Sequence, residues 1–520
     1  MRSVRQKGAA RCALGFAAAA ALCVLAACGG GGGGGGGAAL PLGAVPALPA
    51  APGGEPIGSS ASLAGRCASP RLGVDPDTGA AFPDQVGSVA AEKNWVRAWI
   101  DESYLWYSEV PVLSAADYAT PIAYFDVLKT PKLTASGRPK DRFHFAADTS
   151  AYREQSQAGT QVGYGVEFAF LSAAPPRDIR VAYTEPGSPA AQAALDRGLK
   201  LIGIDGIDVV AGTEVAALNA ALAPTRAGQT HSFRLQSGDG SVRAVTLSST
   251  QVARMPVQNV KTIATATGAV GYLLFNDHVG AAEGPLIAAV NALKAASVSD
   301  LVIDMRYNGG GLLEVASELA FMVATPEATN GTVFERLKFN DRNPFGLRNN
   351  EMNLPFYGTT RGYTTTAGDP LPQLGLSRVT VLAGPDTCSA SESVVNGLRG
   401  VGITVNLVGA GTCGKPYGFF PQDNCGTTYF AIQFQGVNQL GFGDYGDGFA
   451  PTCAVADDFD HALGDPAEAR LAAALALRST GACPAAPVSK SAQALGKAEA
   501  AGIGYLLRPP ARESRILARP

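Results

Sequence analysis

The sequence predicts a multidomain α/β protein with an N-terminal helical region, a β-rich domain, and an α/β core with crossover helices. Short apolar strands alternate with helical patterns between residues 253 and 480, which is typical of a sheet with crossover connections. Residues 159–252 show short strands broken by glycine and proline turns. In residues 88–158, aromatic side chains recur at helical spacing.

The composition fits a large folded protein and excludes some functions. The chain has 520 residues, of which 46% are hydrophobic, so it can bury several cores. Its formal net charge of −3 gives no basic surface for nucleic acid. No C-x-x-C pair suggests zinc. The run from Gly441 to Gly448 alternates Asp and Gly but lacks the twelve-residue loop ending in Glu, so we expect a glycine-rich turn. Neither a metal nor a cofactor is expected.

Residues 1–27 have the pattern of a signal peptide. A basic start precedes an apolar stretch, Cys12 to Ala27, that is short for a membrane span. The stretch ends in Leu25-Ala26-Ala27-Cys28, which resembles a bacterial lipobox. This predicts an exported lipoprotein held by Cys28 on the periplasmic face of a bacterial membrane, which we expect to be the outer membrane. An ordinary secretory signal is the alternative. The glycines from Gly29 to Gly37 favour a flexible tether behind a lipid anchor.

Two further segments are expected to lack fixed structure. Residues 28–87 begin with the lipidated cysteine and continue as a disordered tether rich in Gly, Ala and Pro. Residues 481–520 form a loosely ordered C-terminal tail. An even set of cysteines follows Cys28, which predicts disulfides in an exported protein but leaves their pairing open. These cysteines are Cys67, Cys388, Cys413, Cys425, Cys453 and Cys483. A Cys413–Cys425 bridge would enclose Lys415, but both residues have other possible partners.

The helical region, residues 88–158, contains a stripe of aromatic residues. Trp95 and Trp99 lie at helical spacing, and Tyr104 and Trp106 follow closely. Such a stripe is more typical of a core than of a ligand site. We therefore expect these side chains to be buried.

The β-rich segment, residues 159–252, resembles a PDZ domain in its permuted bacterial form. Gly163-Tyr164-Gly165-Val166 places a glycine loop before an alternating strand, and Pro186 to Ala190 forms a turn into a helix. Loop N–H groups of this kind can hold a peptide carboxylate while a strand edge pairs with the peptide backbone. Peptide binding is the favoured interpretation, and a spacer between the other two parts is the alternative.

A serine and a lysine follow two neighbouring strand patterns in the core. Ser377 to Ala383 reads as a buried strand, and Ser389 then lies on a turn before a helix. The N–H of Ala390 is free at that helix start to bind an oxyanion. Gly402 to Val408 reads as the next strand and leads to Lys415. A lysine can deprotonate a serine hydroxyl if burial lowers its pKa from about 10.4.

These motifs resemble those of the C-terminal processing (tail-specific) serine peptidases. The resemblance rests on Ser389-Ala390-Ser391-Glu392, on Gly414-Lys415, and on the segment Asp304 to Gly311, which is similar to the family's D-x-R-x-N-x-G-G. It implies that Ser389 is the nucleophile and Lys415 the general base. It also implies that Ala390 and a glycine among Gly309, Gly310 and Gly311 supply the oxyanion hole.

The resemblance implies protein substrates engaged through C-terminal tails, and thus a serine endopeptidase. The family's glutamine after the lysine falls on Phe419 here, with Gln422 nearest, so the residue that orients Lys415 stays open. His278 and His461 are the histidines of the core, and a histidine base is the weaker alternative. A catalytically inactive, peptide-binding or scaffolding lipoprotein is the alternative function.

Overall fold

The computed structural model describes residues 58–76, 78–485 and 515–516. The predicted signal peptide, Cys28, the glycine run and most of the predicted tail lie outside these residues. Within them, every helix is too short or too polar to cross a membrane.

The N-terminal region is helical where the aromatic stripe predicts it. Its elements are α1 (Ser60–Leu63), β1 (Arg66–Cys67), β2 (Gln85–Val86), α2 (Val89–Ser103), α3 (Pro121–Phe125), β3 (Phe145–Asp148) and α4 (Thr149–Ala158). Ser88 caps α2 by accepting a hydrogen bond from the N–H of Ala91. Trp95 and Trp99 are buried and stacked, with ring centroids 5.7 Å apart. The stripe is therefore core.

Residues 60–87 differ from the predicted tether. They contain α1 and the paired strands β1 and β2, and Cys67 forms a disulfide with Cys425. Arg71 pairs with Asp84 at 2.8 Å, and Asp75 pairs with Arg153 of α4 at 3.0 Å. Composition suggested disorder because the segment is ordered by a few single-residue contacts, two of which, Cys67–Cys425 and Asp75–Arg153, have partners outside it.

The β-rich domain forms its own sheet and its own core. Its elements are β4 (Thr160–Gly163), β5 (Val166–Ser172), β6 (Asp178–Thr184), α5 (Pro189–Gln192), β7 (Lys200–Ile204), β8 (Ile207–Asp208), α6 (Val215–Leu222), β9 (Thr230–Gln236), β10 (Val242–Ser248) and β11 (Thr250–Ala253). The strand order is β10-β9-β7-β6-β5, with β8 paired to β7, and β4 pairs with β11. Strand β5 thus lies at the edge of the sheet.

The core of the protein is the predicted α/β sheet with crossover helices. Its elements are β12 (Val257–Thr265), β13 (Gly268–Phe275), α7 (Glu283–Ala295), β14 (Asp300–Asp304), β15 (Gly311–Leu312), α8 (Leu313–Val323), α9 (Pro326–Thr329), β16 (Val333–Phe339), β17 (Glu351–Pro355), β18 (Arg378–Ala383), α10 (Ala390–Gly400), β19 (Thr404–Gly409), β20 (Tyr417–Gly418), β21 (Gln422–Asn424), β22 (Thr427–Phe430), β23 (Phe434–Val437), β24 (Cys453–Ala454) and α11 (Ala469–Thr480), followed by β25 (Arg515–Ile516).

The main sheet has the order β12-β13-β14-β18-β19-β24, and all neighbours except β12 and β13 are parallel. Apolar residues of α7, α8 and α10 share one buried cluster with α2, whereas α11 belongs to a second cluster that includes Tyr183 of β6. The parallel strands end at one edge, so the segments after β13, β14, β18 and β19 meet there.

The N-terminal region is built into the core through a shared sheet. Strand β3 pairs antiparallel with β22, and β21 pairs with β22 on its other side. Phe143, which precedes β3, thereby lies close to Lys415, whose Nζ is 4.6 Å from the centre of its ring.

Candidate active site

Ser389 lies on the turn between β18 and α10. Its backbone has φ of 59° and ψ of −113°, a conformation that costs a non-glycine residue energy and is found mostly where the surroundings impose it. The side chain is fully buried, and its Oγ has no hydrogen-bond partner among the described residues. An unpaired buried hydroxyl on a strained turn is the arrangement expected of a nucleophile.

The two nearby serines are engaged in hydrogen bonds. Ser391 Oγ donates to the backbone oxygen of Asn308 at 3.0 Å, and Ser393 Oγ donates to that of Ser389 at 3.2 Å. Both hydroxyls therefore hold the turn together. Of the three serines, Ser389 is the one with an unused hydroxyl.

Lys415 follows β19 on a turn that requires glycine before it. Gly414 has φ of +89°, and a Cβ there would lie 2.4 Å from the backbone oxygen of Gly446. The glycine-rich run from Gly441 to Gly448 therefore packs against the lysine's turn. The Lys415 side chain is buried, with Nζ 4.6 Å from the ring centre of Phe143 and 4.2 Å from that of Phe419.

The carboxylate of Glu392 ties these two turns together. Its Oε2 accepts the N–H of Ser389 at 3.0 Å and the N–H of Lys415 at 2.8 Å. Its Oε1 accepts the N–H of Gly414 at 2.8 Å and the Thr412 hydroxyl at 2.6 Å. Burial raises the pKa of Glu392, and these hydrogen bonds oppose that rise. One buried side chain thus fixes the main chain of both predicted catalytic residues.

A disulfide between Cys388 and Cys413 links the same two turns. The other pairs are Cys67–Cys425 and Cys453–Cys483, so the Cys413–Cys425 pairing considered above is wrong. Cys388, Glu392 and Cys413 present ligand atoms within 4.8 Å of one another. They do not fit a metal ion, because the disulfide uses both sulfurs and the carboxylate already accepts four hydrogen bonds.

The predicted oxyanion segment follows β14 and touches the serine turn. The backbone oxygen of Asn308 accepts the N–H of Cys388 at 3.1 Å. The N–H of Gly310, predicted as a possible oxyanion donor, instead donates to Asn308 Oδ1 at 3.0 Å. Within the described chain, Gly309 and Ala390 keep N–H groups with no acceptor. Those two amides are therefore the available donors, and Gly310 has a supporting role.

His278 is a buried neighbour of the oxyanion segment. Its Nδ1 lies 3.0 Å from Asn308 Oδ1, and its backbone oxygen accepts the N–H of Leu312. Burial lowers the pKa of His278 to about 4, so its ring is neutral at physiological pH. His461 is exposed and lies 2.7 Å from Asp458. Neither ring hydrogen-bonds Ser389.

The predicted peptide-binding loop lines a cavity of about 830 Å³ in the β-rich domain. Gly163 ends β4 and Val166 begins β5, with Tyr164 and Gly165 between them. The backbone N–H groups of Tyr164 and Gly165 donate no hydrogen bond within the described residues, and the Tyr164 hydroxyl is buried without a partner. Burial raises the pKa of Tyr164 to about 12, so this hydroxyl keeps its proton.

Apolar and charged side chains both line the rest of that cavity, and two of the charged residues, Glu167 and Glu185, are buried. Phe168 and Phe170 of β5 and Leu222 at the end of α6 contribute apolar surface. Arg226 and Glu154 are exposed lining residues of opposite charge. A chain lying along β5 with its carboxylate at Tyr164 and Gly165 would meet unpaired donors at one end and apolar side chains beside it.

Sequence reasoning missed two of the side chains that complete the site. Glu392 was part of the recognised motif, but its partners are backbone N–H groups, which leave no signature in the sequence. Phe143 lies far upstream and reaches Lys415 through the pairing of β3 with β22. His278 does carry a signal, because it is a polar residue three positions after a buried apolar strand.

Comparisons with known proteins agree with the resemblance drawn from the motifs. Residues 269–421 match the family described as Peptidase family S41, and residues 91–145 match the Peptidase S41 N-terminal domain. The first match contains both Ser389 and Lys415. A carboxyl-terminal-processing protease from Picosynechococcus sp. (strain ATCC 27264 / PCC 7002 / PR-6) is 28% identical over 281 residues, which is 54% of this chain and 58% of that protein. The match spans less than two thirds of the relative's length.

Two solved structures are similar to this chain to different degrees. A protein described as an S41 protease from Bacteroides fragilis NCTC 9343 has a TM-score of 0.57 and 23% identity, covering 75% of this chain and 97% of its own. The photosystem II D1 C-terminal processing protease covers 73% of this chain and 96% of its own, with 18% identity and a TM-score of 0.45. The Bacteroides structure establishes a common fold.

Proposed function

We propose, from the premise that this chain carries the peptidase and N-terminal domains of family S41, that it is a serine endopeptidase acting through a Ser389–Lys415 dyad. One observation carries the proposal: Glu392 binds the backbone of both residues while the Ser389 hydroxyl is left without a partner. The same turn begins a helix, whose first N–H groups suit a developing oxyanion.

In the proposed reaction, neutral Lys415 takes the proton of Ser389 Oγ as that oxygen attacks the scissile carbonyl carbon. The N–H groups of Ala390 and Gly309 stabilise the resulting oxyanion. The lysine then gives its proton to the leaving amine, which produces an ester of Ser389 and a free new N-terminus. Lys415 next takes a proton from water, and the hydroxide attacks the ester carbonyl carbon. The C–O bond to Ser389 then breaks, Lys415 returns the proton to Ser389 Oγ, and the carboxylic acid is released. Full burial of Lys415 supports its role as a base, since desolvation disfavours the ammonium form of an amine.

The edge beside the oxyanion segment supports a substrate bound as an extended strand. The backbone of β25 pairs in parallel with Gly311–Leu312 of β15. That edge of the site thus accepts an extended polypeptide, which is the form in which peptidases bind their substrates through main-chain hydrogen bonds.

The activity is tested with the purified protein and a denatured, disulfide-free substrate protein. Intact-mass analysis of the products should show new peptide ends, and Ser389→Ala should abolish them while circular dichroism stays unchanged. Products that form equally with the Ser389→Ala protein would refute the proposal. A protein that binds peptides and cuts none would instead be the scaffolding lipoprotein.

The PDZ-like domain is proposed to hold the C-terminal tail of the substrate. The unpaired N–H groups of Tyr164 and Gly165 and the apolar side chains of the cavity beside β5 support this. A fluorescent ten-residue peptide with an apolar C-terminal residue should bind when its carboxylate is free and lose affinity by about tenfold when it is amidated. Tyr164→Phe should weaken binding of the free acid more than that of the amide. Equal affinity of the acid and the amide would refute carboxylate recognition.

Export and a lipid anchor at Cys28 are also proposed. The Leu25-Ala26-Ala27-Cys28 pattern supports an anchor, and the three disulfides support folding in an oxidising compartment. Radiolabelled palmitate should enter the wild-type protein in cells and should not enter Cys28→Ala. Labelling that persists in the variant would exclude this anchor.

A further inference from the structure

The Cys388–Cys413 disulfide joins the nucleophile's turn to the base's turn. Cys388 directly precedes Ser389, and Cys413 lies two residues before Lys415, with the two Cα atoms 5.1 Å apart. Other direct links between the turns are hydrogen bonds: the N–H of Cys413 donates to Thr387, and both turns bind Glu392. The disulfide is thus a covalent link within a set of weaker links at the predicted catalytic centre.

One of the sulfur atoms touches the carboxylate that positions the dyad. Cys413 Sγ lies 3.4 Å from Glu392 Oε2, the same oxygen that accepts the N–H groups of Ser389 and Lys415. In the disulfide this sulfur carries no proton and cannot donate. Reduction creates two S–H groups beside a buried carboxylate whose acceptor positions are filled, so a thiol can bind Oε2 only by displacing one of those N–H groups.

The two sulfurs differ in exposure. Cys388 is fully buried, whereas Cys413 is half-buried and is the sulfur open to attack. A dithiol such as dithiothreitol attacks Cys413 Sγ as a thiolate, and the S–S electron pair leaves with Cys388, which takes a proton. The second dithiol sulfur then closes on the first and releases Cys413 as a thiol. Two electrons pass from the dithiol, which ends as a cyclic disulfide.

We infer that the Cys388–Cys413 disulfide is a positioning element of the dyad, so that a dithiol switches the peptidase off at this bond. The inference rests on the proposed function. Reduction leaves substrate contacts in the β-rich domain intact but frees the two turns to move apart. A displacement of about 1 Å in a catalytic group can cost on the order of a hundredfold in rate.

The first test compares the steady-state kinetics of the oxidised and reduced wild-type protein. Reduction should lower kcat by about tenfold or more with KM within about twofold, and reoxidation should restore kcat. The double variant Cys388→Ser/Cys413→Ser should have the low kcat whatever the redox state. The matched controls Cys67→Ser/Cys425→Ser and Cys453→Ser/Cys483→Ser should keep the response to the dithiol. A reduced wild-type protein that keeps its kcat, after alkylation and mass analysis show all six disulfide cysteines as free thiols, would overturn the inference.

Hydrogen–deuterium exchange decides the inference separately from activity. Reduction should raise exchange in peptides covering residues 387–393 and 411–416, and the Cys388→Ser/Cys413→Ser variant should show this higher exchange without dithiol. Unchanged exchange in both segments after full reduction would overturn the inference. An oxidised wild-type protein that cleaves nothing would refute the proposed function, and the exchange result would still decide the role of the disulfide.

Discussion

Arg197, between α5 and β7 of the β-rich domain, donates a 2.8 Å hydrogen bond to the hydroxyl of Tyr307, in the loop after β14. Arg197 also binds Asp457 at 2.8 Å, and the Tyr307 hydroxyl donates to the same carboxylate at 2.5 Å. Arg306 completes the group with a 2.7 Å contact to Asp457. Since Tyr307 directly precedes Asn308, this buried network connects the proposed tail-binding domain to the oxyanion segment.

Arg197→Ala should uncouple tail binding from cleavage. Loss of the guanidinium removes one partner each from Asp457 and Tyr307, which still bind each other, and weakens the link between the β-rich domain and the loop after β14. We expect kcat for a tail-bearing protein to fall by about fivefold or more, a typical coupling between sites, with tail-peptide affinity unchanged. Steady-state kinetics measure kcat, and fluorescence anisotropy measures the affinity for the tail peptide. Arg234→Ala, an exposed arginine of β9, is the control. Equal kcat in Arg197→Ala and wild type would show that the network is only structural.

Ser389→Ala and Lys415→Ala should each lower kcat by about a thousandfold or more, and the double variant should be no worse than either. The reason is that the nucleophile and the base act in the same step, so loss of either residue already abolishes that step. Initial rates on one protein substrate measure the effect. Ser248→Ala, which removes an exposed hydroxyl of β10, should keep most of the activity. Multiplied losses in the double variant would mean that the two residues act independently.

Glu392→Gln should impair both activity and stability. An amide nitrogen in place of one carboxylate oxygen would face N–H donors and leave at least one of them unpaired in the core. We expect a loss of about 2 kcal/mol in the free energy of unfolding and a fall in kcat of about tenfold or more. Urea unfolding and initial rates measure the two effects. Rates unchanged in a destabilised variant would show that Glu392 supports the fold and not the dyad.

The sequence could place the turns of Ser389 and Lys415 beside each other because each turn follows one of two neighbouring strands. Ser389 and Lys415 each follow a buried apolar strand, and these strands, β18 and β19, are parallel neighbours whose ends meet. The fold class could be predicted for the same reason, since alternating apolar strands and helices are a local pattern.

What the sequence could not predict depends on contacts between distant residues. Phe143 lies beside Lys415 only because β3 pairs with β22. Cys67 and Cys425 form a disulfide although 358 positions separate them in the sequence. Glu392 accepts hydrogen bonds from backbone N–H groups. Nearly every residue has such a group, so the sequence does not reveal the role of Glu392. We expected the N–H of Gly310 to be available to an oxyanion, but it donates to the side chain of Asn308 instead.

The loop after β17 should be held by a pair of carboxyl groups, one of which is protonated. The N–H of Arg361 donates to Glu283 at 2.7 Å and to Glu318 at 2.9 Å, so the two carboxyl groups share one donor. Burial, and then the charge of Glu283, raise the pKa of Glu318 to about 8. Glu314, Tyr357 and Tyr363 also face this pair. Near neutral pH, Glu318 therefore carries a proton in the folded protein.

The protonated Glu318 should therefore make a contribution to the free energy of unfolding that falls as pH rises. Glu318→Gln should remove this pH-dependent contribution. The unfolded carboxyl has its pKa near 4.5, so between about pH 4.5 and 8 the folded state binds one more proton than the unfolded state. This contributes stability that is complete below that window and is lost through it, at about 1.4 kcal/mol per pH unit. Urea unfolding from pH 5 to 9 should show a slope reduced by that amount in Glu318→Gln. Glu327→Gln, an exposed glutamate of α9, should match the wild type. Parallel pH profiles for Glu318→Gln and wild type would mean that Glu318 is ionised throughout, and the shared donor alone would then hold the loop.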